Sequence, residues 1–366
     1  MTRTTTPFRD DHATKRRALR AVAIAACLPY LGLKAAWLSG SHLGIPAGSV
    51  LLDADPWPAV ANAVTVLMDA AVVVLALLLT RPWGRRVPAW LLLLPMWGAV
   101  GLLTPIMYGF PAQLLVRALG GSNPTAGAEG GGGERPFLDA WVFGVVYTGF
   151  IVQGLALGAL FVLYARDRWG HLWQGGVGDP ASAAPGRGQR AALTAAAALA
   201  VVPGAVHLLW ACGRSAGLSP QIARGYGADS ATVESGYVLY AAATVAGIAL
   251  LLSGANRGSR LPLRVPLLLA GVGSAASAAW GGWQLLAMLT SLADDGRGPT
   301  ATMALTYAVQ VITGLLVLGA GARFFAVRSA TRTPAALPVP VPVSVPVPVS
   351  VPVPVPGRTG AEAFTP

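Results

Sequence analysis

Charge is scarce in this sequence: 11% of its 366 residues are Asp, Glu, Lys or Arg, against roughly 25% in an ordinary soluble domain. So few charges cannot cover a water-facing surface on a chain of this length, which excludes a soluble globular fold. Lysine is nearly missing, Lys15 and Lys34 being the two among 26 basic residues, and Ile and Asn are scarce as well. Cysteine is limited to Cys27 and Cys212. At 1.5 Å per helical residue these two would differ in depth by roughly 20 Å, which excludes a disulfide between them and leaves both as expected packing residues. Also missing are a Walker A loop, His-Glu-x-x-His, Gly-x-Ser-x-Gly, a dinucleotide fingerprint and an acidic cluster for a metal-diphosphate site. No catalytic motif is therefore recognisable, no cofactor is expected, and any ATP-driven activity would need a separate ATPase subunit.

What is abundant is apolar: 54% of the residues are hydrophobic, in runs close to the twenty or so residues that cross a hydrocarbon core of roughly 30 Å. Eight runs predict transmembrane helices over 20–39, 59–80, 88–106, 139–164, 191–211, 235–254, 265–288 and 302–326. An even number of spans puts both termini on one side. On that side fall Arg3, Arg9, Lys15, Arg16, Arg17 and Arg20, then Arg81, Arg85 and Arg86, then Arg166, Arg168, Arg187 and Arg190, then Arg257, Arg260 and Arg264, and finally Arg323, Arg328, Arg332 and Arg358. The opposite side holds Arg117, Arg135, Arg214, Arg224 and Arg297. By the positive-inside rule this asymmetry makes both termini cytoplasmic and the chain a multi-pass protein of the cell membrane. The net charge of +11 is thereby accounted for by topology. No stretch joins clustered Arg to stacking aromatics, so nucleic acid is not an expected partner, whereas the lipid bilayer is.

An internal repeat refines the architecture. A shift of 173 residues lays Lys34-x-x-Trp37-x-x-Gly40-x-x-x-Gly44 on His207-x-x-Trp210-x-x-Gly213-x-x-x-Gly217, and Ala76–Thr80 on Ala249–Ser253. With different loop lengths, Trp97-Gly98 then matches Trp280-Gly281, and Tyr147 with Gly154 matches Tyr307 with Gly314. The expected fold is thus an all-α membrane protein of eight transmembrane helices, arranged as two tandem four-helix repeats of the same orientation. Its parts are a basic N-terminal segment 1–19, a first repeat 20–164, a cytoplasmic linker 165–190, a second repeat 191–326 and a Val-Pro-rich tail 327–366. Membership in a repeat also argues against reading the first span as a cleaved signal peptide. In its Ala- and Gly-rich, Arg-for-Lys composition, of the kind a high-GC coding bias produces, the chain resembles uncharacterised multi-pass integral membrane proteins of actinobacteria. The resemblance covers the whole chain and brings no functional motif or site residue.

Three segments are expected outside the core. Gly120–Pro136 reads as a connector, and Tyr108–Leu119 before it as a short amphipathic helix along the interface. From Leu337 to Pro356, Val and Pro alternate, which removes helix donors and predicts an extended polyproline II tether reaching roughly 60 Å, able to dock a proline-reading cytoplasmic partner.

Polar residues inside the spans are the candidates for function, because ionisable groups in hydrocarbon are costly and usually face the bundle interior. Lys34 and Asp69 lie at depths differing by roughly 8 Å, within reach of a lysine stem, and are expected to form an intramembrane ion pair. In the second copy they align with His207 and Ala242, so both charges vanish together. His207 has no evident partner in the sequence, and Trp210 nearby suggests interfacial anchoring, as for Trp37 and Trp283. The remaining histidines, His12, His42 and His171, fall outside the spans, which speaks against metal or haem. Tyr147, Gln153, Gln284, Tyr307 and Gln310, with Thr313, are candidates for lining a polar cavity near the repeat interface, while Gly154-x-x-x-Gly158 and the run Gly271–Ala279 read as close-packing faces. The architecture points to carrier or permease-like translocation of a small molecule or ion. The alternative is a non-transporting membrane sensor or accessory protein that recruits a partner through its tail.

Overall fold

The computed structural model of the chain describes residues 7–52, 57–120, 138–177, 185–254, 261–291 and 299–332. The tail at 337–356, the connector from 121 to 136, Arg257, Arg260 and Arg297 lie outside these residues.

Regular structure among the described residues is helical: α1 Pro7–Leu38, α2 Trp57–Thr80, α3 Ala89–Ala118, α4 Ala140–Trp169, α5 Arg187–Ala211, a short α6 Pro220–Arg224, α7 Ala228–Gly254, α8 Arg264–Ser291 and α9 Ala301–Arg332. All but α6 are long and apolar enough to cross a membrane, eight in all. Their surfaces carry large aliphatic side chains where a soluble protein would place charge: Leu28, Val74, Leu155, Val202 and Leu315 are exposed near mid-span. Helices apolar all round, with such a surface, satisfy their backbone groups internally and leave leucine for lipid to solvate. The protein is built as a multi-pass integral membrane protein.

The helices gather into two groups. In the first, α1 packs on α2 and α4, and α4 on α3; in the second, α5, α7, α8 and α9 form a closed ring of neighbours. The groups meet where α3 lies against α7 and α8. Packing differs between them: 50% of the apolar window of α8 is buried within the protein against 22% for α1 and α3, so α8 is the central helix and the first group is more open to lipid. Close approach of α3 to α8 depends on Gly101, where an added Cβ would lie 2.4 Å from the Ala275 carbonyl oxygen. Across the same seam the Trp280 indole donates to the Leu102 carbonyl at 2.9 Å, and the Arg117 guanidinium pairs with Asp229 at 2.9 Å.

Two helix ends share one construction. After α1, Gly40 adopts φ +89°, its N–H bonds the Trp37 carbonyl, and the Ser41 N–H bonds Ala36. After α5, Gly213 adopts φ +76°, its N–H bonds Trp210, and the Arg214 N–H bonds Leu209. Both are glycine-terminated caps in which left-handed backbone lets orphan carbonyls be satisfied. Four residues on, Gly44 and Gly217 again have positive φ, and the indoles of Trp37 and Trp210 donate to the carbonyls of Leu43 and Ala216. Each second glycine then presses on the start of a later span, Gly44 on Trp141 and Val142 of α4, Gly217 on Thr302 of α9.

The structure corrects several expectations. Tyr108–Leu119 is not a separate interfacial helix: α3 continues through Pro105 and Pro111 to Ala118, held by the Tyr108 hydroxyl on Ser235 at 2.7 Å and by the Arg117–Asp229 pair. Tertiary contacts with α7 thus offset the hydrogen bonds that proline removes. Trp210 is not an interfacial anchor but fully buried, because α6 and the turns beside it pack Leu218, Ile222 and Tyr226 over it. Cys212 does not pack in the core as Cys27 does; it is exposed at the turn beyond α5. The helices also outrun the predicted spans, α1 beginning at Pro7 and α4 reaching Trp169, since charged ends extend a helix past the hydrocarbon without appearing in an apolar run.

Candidate functional site

Within the spans, two clusters of buried polar side chains stand out among the described residues, one in each helix group; Gln113, Gln189 and Arg328 are buried apart from them. In the first, Cys27, Tyr30 and Lys34 follow one face of α1 at spacings of three and four, and Asn62, Thr65 and Asp69 do the same on α2, the periodicity that lines residues up on one side of a helix. Lys34 is buried, and its ammonium donates to the Asn62 side-chain oxygen at 2.5 Å while lying 4.8 Å from the Tyr30 ring centroid and 5.1 Å from that of Trp37. Asp69 is buried too; it accepts from Gln153 of α4, and its Oδ2 has no hydrogen-bond partner. The Cys27 thiol donates to Gln153 at 3.5 Å. Lys34 and Asp69 therefore share a cluster and act on each other electrostatically, but the ammonium is spent on Asn62 rather than in direct contact with the carboxylate. The expected ion pair is replaced by an ammonium–amide contact about two helical turns nearer the end of the span. Asn62 is not marked by the sequence, because a lone amide near a span end carries no hydropathy signal.

The second cluster centres on His207 of α5, buried to 1% exposure. Its Nδ1 meets the Glu234 carboxylate of α7, its Nε2 lies 2.8 Å from the Gln310 amide nitrogen of α9, and its ring stacks on Tyr237 at 4.4 Å between centroids. Trp210 contacts the imidazole edge-on at 5.1 Å. This arrangement suits a neutral ring with Nδ1–H donating to Glu234 and Nε2 accepting from the Gln310 amide. Protonation would make both nitrogens donors and require the amide to turn its oxygen inward. The histidine that has no evident partner in the sequence is thus held between an acid and an amide. Glu234 stands just before the apolar run that begins at 235 and so carries no hydropathy signal, although Glu234, Tyr237, Ala241 and Thr244 continue one helical face.

From this cluster a line of polar groups leads deeper. Gln310, Thr313, Thr244 and Ser277 border a cavity of about 10 Å³ with Tyr237, and Gln310 Oε1 and Thr313 Oγ1 are buried without hydrogen-bond partners. A space of that size admits roughly one water molecule and no organic solute. Glu234 and Thr244 are ten residues apart on α7, roughly 15 Å of helix rise, about half the hydrocarbon thickness. Tyr307 bonds Gln284 and borders the imidazole at 6.3 Å. Beyond the span, Tyr226 donates to the Trp210 carbonyl at 2.8 Å, and burial, with the Glu234 carboxylate, raises its phenol above the usual value.

The remaining candidates are distributed between the groups. Tyr147 sits among the rings of Phe110, Phe143 and Phe150 in the first, where Gln153 also lies. Gln284, Tyr307 and Gln310 belong to the second. They do not line one chamber between the groups, and the seam itself is filled by Gly101 against Ala275 and by Gly314 against Trp97 and Ala278. Among the described residues, no three or more His, Cys, Asp or Glu side chains gather as metal ligands would. The fold and clusters define the class as an eight-helix integral membrane protein. No protein-family model, curated protein or solved structure matches the chain.

Proposed function

We propose that the protein is a carrier-like membrane protein whose transported or coupling species is the proton, handled by His207 with Glu234 and Gln310. The observation that carries this reading is the buried imidazole bonded to a carboxylate on one nitrogen and an amide on the other, beside a cavity the size of one water. Imidazole is the side chain whose ordinary titration falls near neutral pH, and a buried acid–histidine pair in a membrane span is a default candidate for proton traffic. The line from Glu234 to Thr244 spans about half the membrane, so transfer would be gated rather than run along a continuous wire.

The wider architecture we propose is two tandem four-helix copies with both termini cytoplasmic. It is supported by the twin caps at Gly40 and Gly213, the twin indole bonds of Trp37 and Trp210, and a further pair at the other membrane face. There Arg168 lies over Tyr164 and Arg328 over Phe324, at 5.8 and 5.6 Å, both related by the same shift as Tyr147 and Tyr307. Lys34 and His207 then occupy one position in the two copies.

The test is proton flux into liposomes that contain the purified protein and a trapped pH-sensitive dye, driven by an imposed potassium diffusion potential. Wild type is expected to change lumenal pH faster than empty liposomes, and His207→Gln and Glu234→Gln each to lower that rate at least tenfold while unfolding at a similar temperature. A wild-type rate equal to that of empty liposomes overturns transport. The second reading, a non-transporting sensor or accessory protein, is favoured by the close-packed interior. It predicts instead that removing the residues after Arg332 abolishes capture of a cytoplasmic partner in a pull-down, which a carrier should not require.

A further inference from the structure

At the membrane face where α1 enters and α2 ends, a cleft of about 510 Å³ is lined by Arg16, Arg17, Arg20, Thr80 and Arg81. We propose that this cleft binds a phosphate-bearing anion, and that the headgroup of an anionic phospholipid is its natural source. Four guanidiniums around one space repel each other unless an anion lies among them. Among the described residues Asp167 bonds Arg16 at 2.5 Å, one carboxylate against the four guanidiniums that line the cleft. Arg20 is oriented by its 3.4 Å contact to the Thr80 hydroxyl, which is itself tied to the Ala76 and Leu77 carbonyls. Arg16 is oriented by Asp167 and the Leu163 carbonyl.

Planar guanidiniums held in this way match phosphate oxygens two at a time, where a lysine would offer a point charge. The cleft lies at the boundary where the apolar windows of α1 and α2 stop, the depth at which lipid phosphates sit. Basic pockets between helices on the cytoplasmic side are the form lipid-headgroup sites take. General positive-inside charge does not require this arrangement, since Arg85 and Arg86 on the adjacent turn satisfy that rule from outside the cleft, whereas Arg17 and Arg81, equally exposed, line it.

The experiment measures thermal unfolding of the detergent-purified, delipidated full-length protein titrated with phosphatidylglycerol, phosphatidylcholine or inorganic phosphate, with native mass spectrometry to count retained lipid. Phosphatidylglycerol is expected to raise the midpoint saturably and phosphatidylcholine to leave it unchanged. The pair Arg17→Gln with Arg81→Gln should weaken the effect at least tenfold, and Arg85→Gln with Arg86→Gln should not. Should the first pair fail to fold, Arg17→Lys with Arg81→Lys keeps the charge and removes the paired donors, and is expected to weaken binding as well. A saturable rise with inorganic phosphate, lost in the same variants, would identify a soluble phosphate compound as the source. Lack of response to either anion, or equal loss in the Arg85 and Arg86 variant, refutes the site.

Discussion

Replacing Gly44 with alanine probes the corner that ties α1 to α4. Gly44 has φ +73°, and a Cβ there would lie 2.3 Å from Val142 Cγ2 and 3.0 Å from the Trp141 ring. Left-handed backbone costs a non-glycine residue about 1–2 kcal/mol, and forcing a methyl into filled space costs about 1–3 kcal/mol more. Gly40 supplies the internal control: its φ is +89° but nothing lies within 4 Å of its Cβ direction, so Gly40→Ala should show the backbone cost alone. The second corner repeats the comparison. At Gly217, φ +82°, the added methyl would meet Thr302 Cγ2 at 2.6 Å, whereas at Gly213, φ +76°, it would meet nothing within 4 Å. Thermal unfolding of the purified variants in detergent, followed by tryptophan fluorescence, reads all four. The expected order is Gly44→Ala and Gly217→Ala well below Gly40→Ala and Gly213→Ala in midpoint. If Gly44→Ala unfolds no earlier than Gly40→Ala, the packing of this corner on α4 is wrong.

Two more outcomes follow from the packing. Gly101→Ala should lower the unfolding midpoint more than Gly98→Ala, because its methyl would run into the Ala275 carbonyl while that of Gly98 meets nothing within 4 Å; equal midpoints would mean that α3 and α8 are not in close contact. Lys34→Met and Asp69→Asn should be coupled in a double-mutant cycle by about 1–3 kcal/mol, since the carboxylate left behind by Lys34→Met is buried and uncompensated; additive effects would show that the two charges do not interact.

How much of this was legible in the sequence depended on the physical signal each feature leaves. Span length and apolar content leave a strong one, so all eight spans were visible. Helix ends leave a weaker one: α1 begins at Pro7 and α3 runs to Ala118, because charged first turns and prolines interrupt hydropathy without ending a helix that neighbours hold. The corner glycines were visible as a pattern, Gly40 and Gly44 against Gly213 and Gly217, though their positive φ and their contacts were not. Polar partners were least legible. His207 was recognised but its acid was not, since Glu234 stands at the margin of an apolar run and becomes a candidate only when the helical face is followed from Thr244 back through Ala241 and Tyr237. Lys34 and Asp69 were recognised together, yet the lysine reaches Asn62, which depth arithmetic alone could not rank above a carboxylate.

The two clusters differ in a way that bears on the proposed proton chemistry. In each group a basic side chain lies three residues before a tryptophan and six before the capping glycine, at Lys34 and at His207. An ionisable group inside a span is costly unless it is partnered or reaches the interface. Lys34 meets a neutral amide, which cannot exchange a proton with it; His207 meets an acid and an amide, which can respond to one. Glu234 adjoins Ser235, whose hydroxyl holds Tyr108 of α3, and five residues earlier on α7 Asp229 holds Arg117 of α3. On the reading proposed above, a change of protonation at His207 and Glu234 acts on α3, the helix that joins the two groups. The second group then supplies the responsive element, a role for which the first, with an amide where the second has an acid and an amide, has no counterpart.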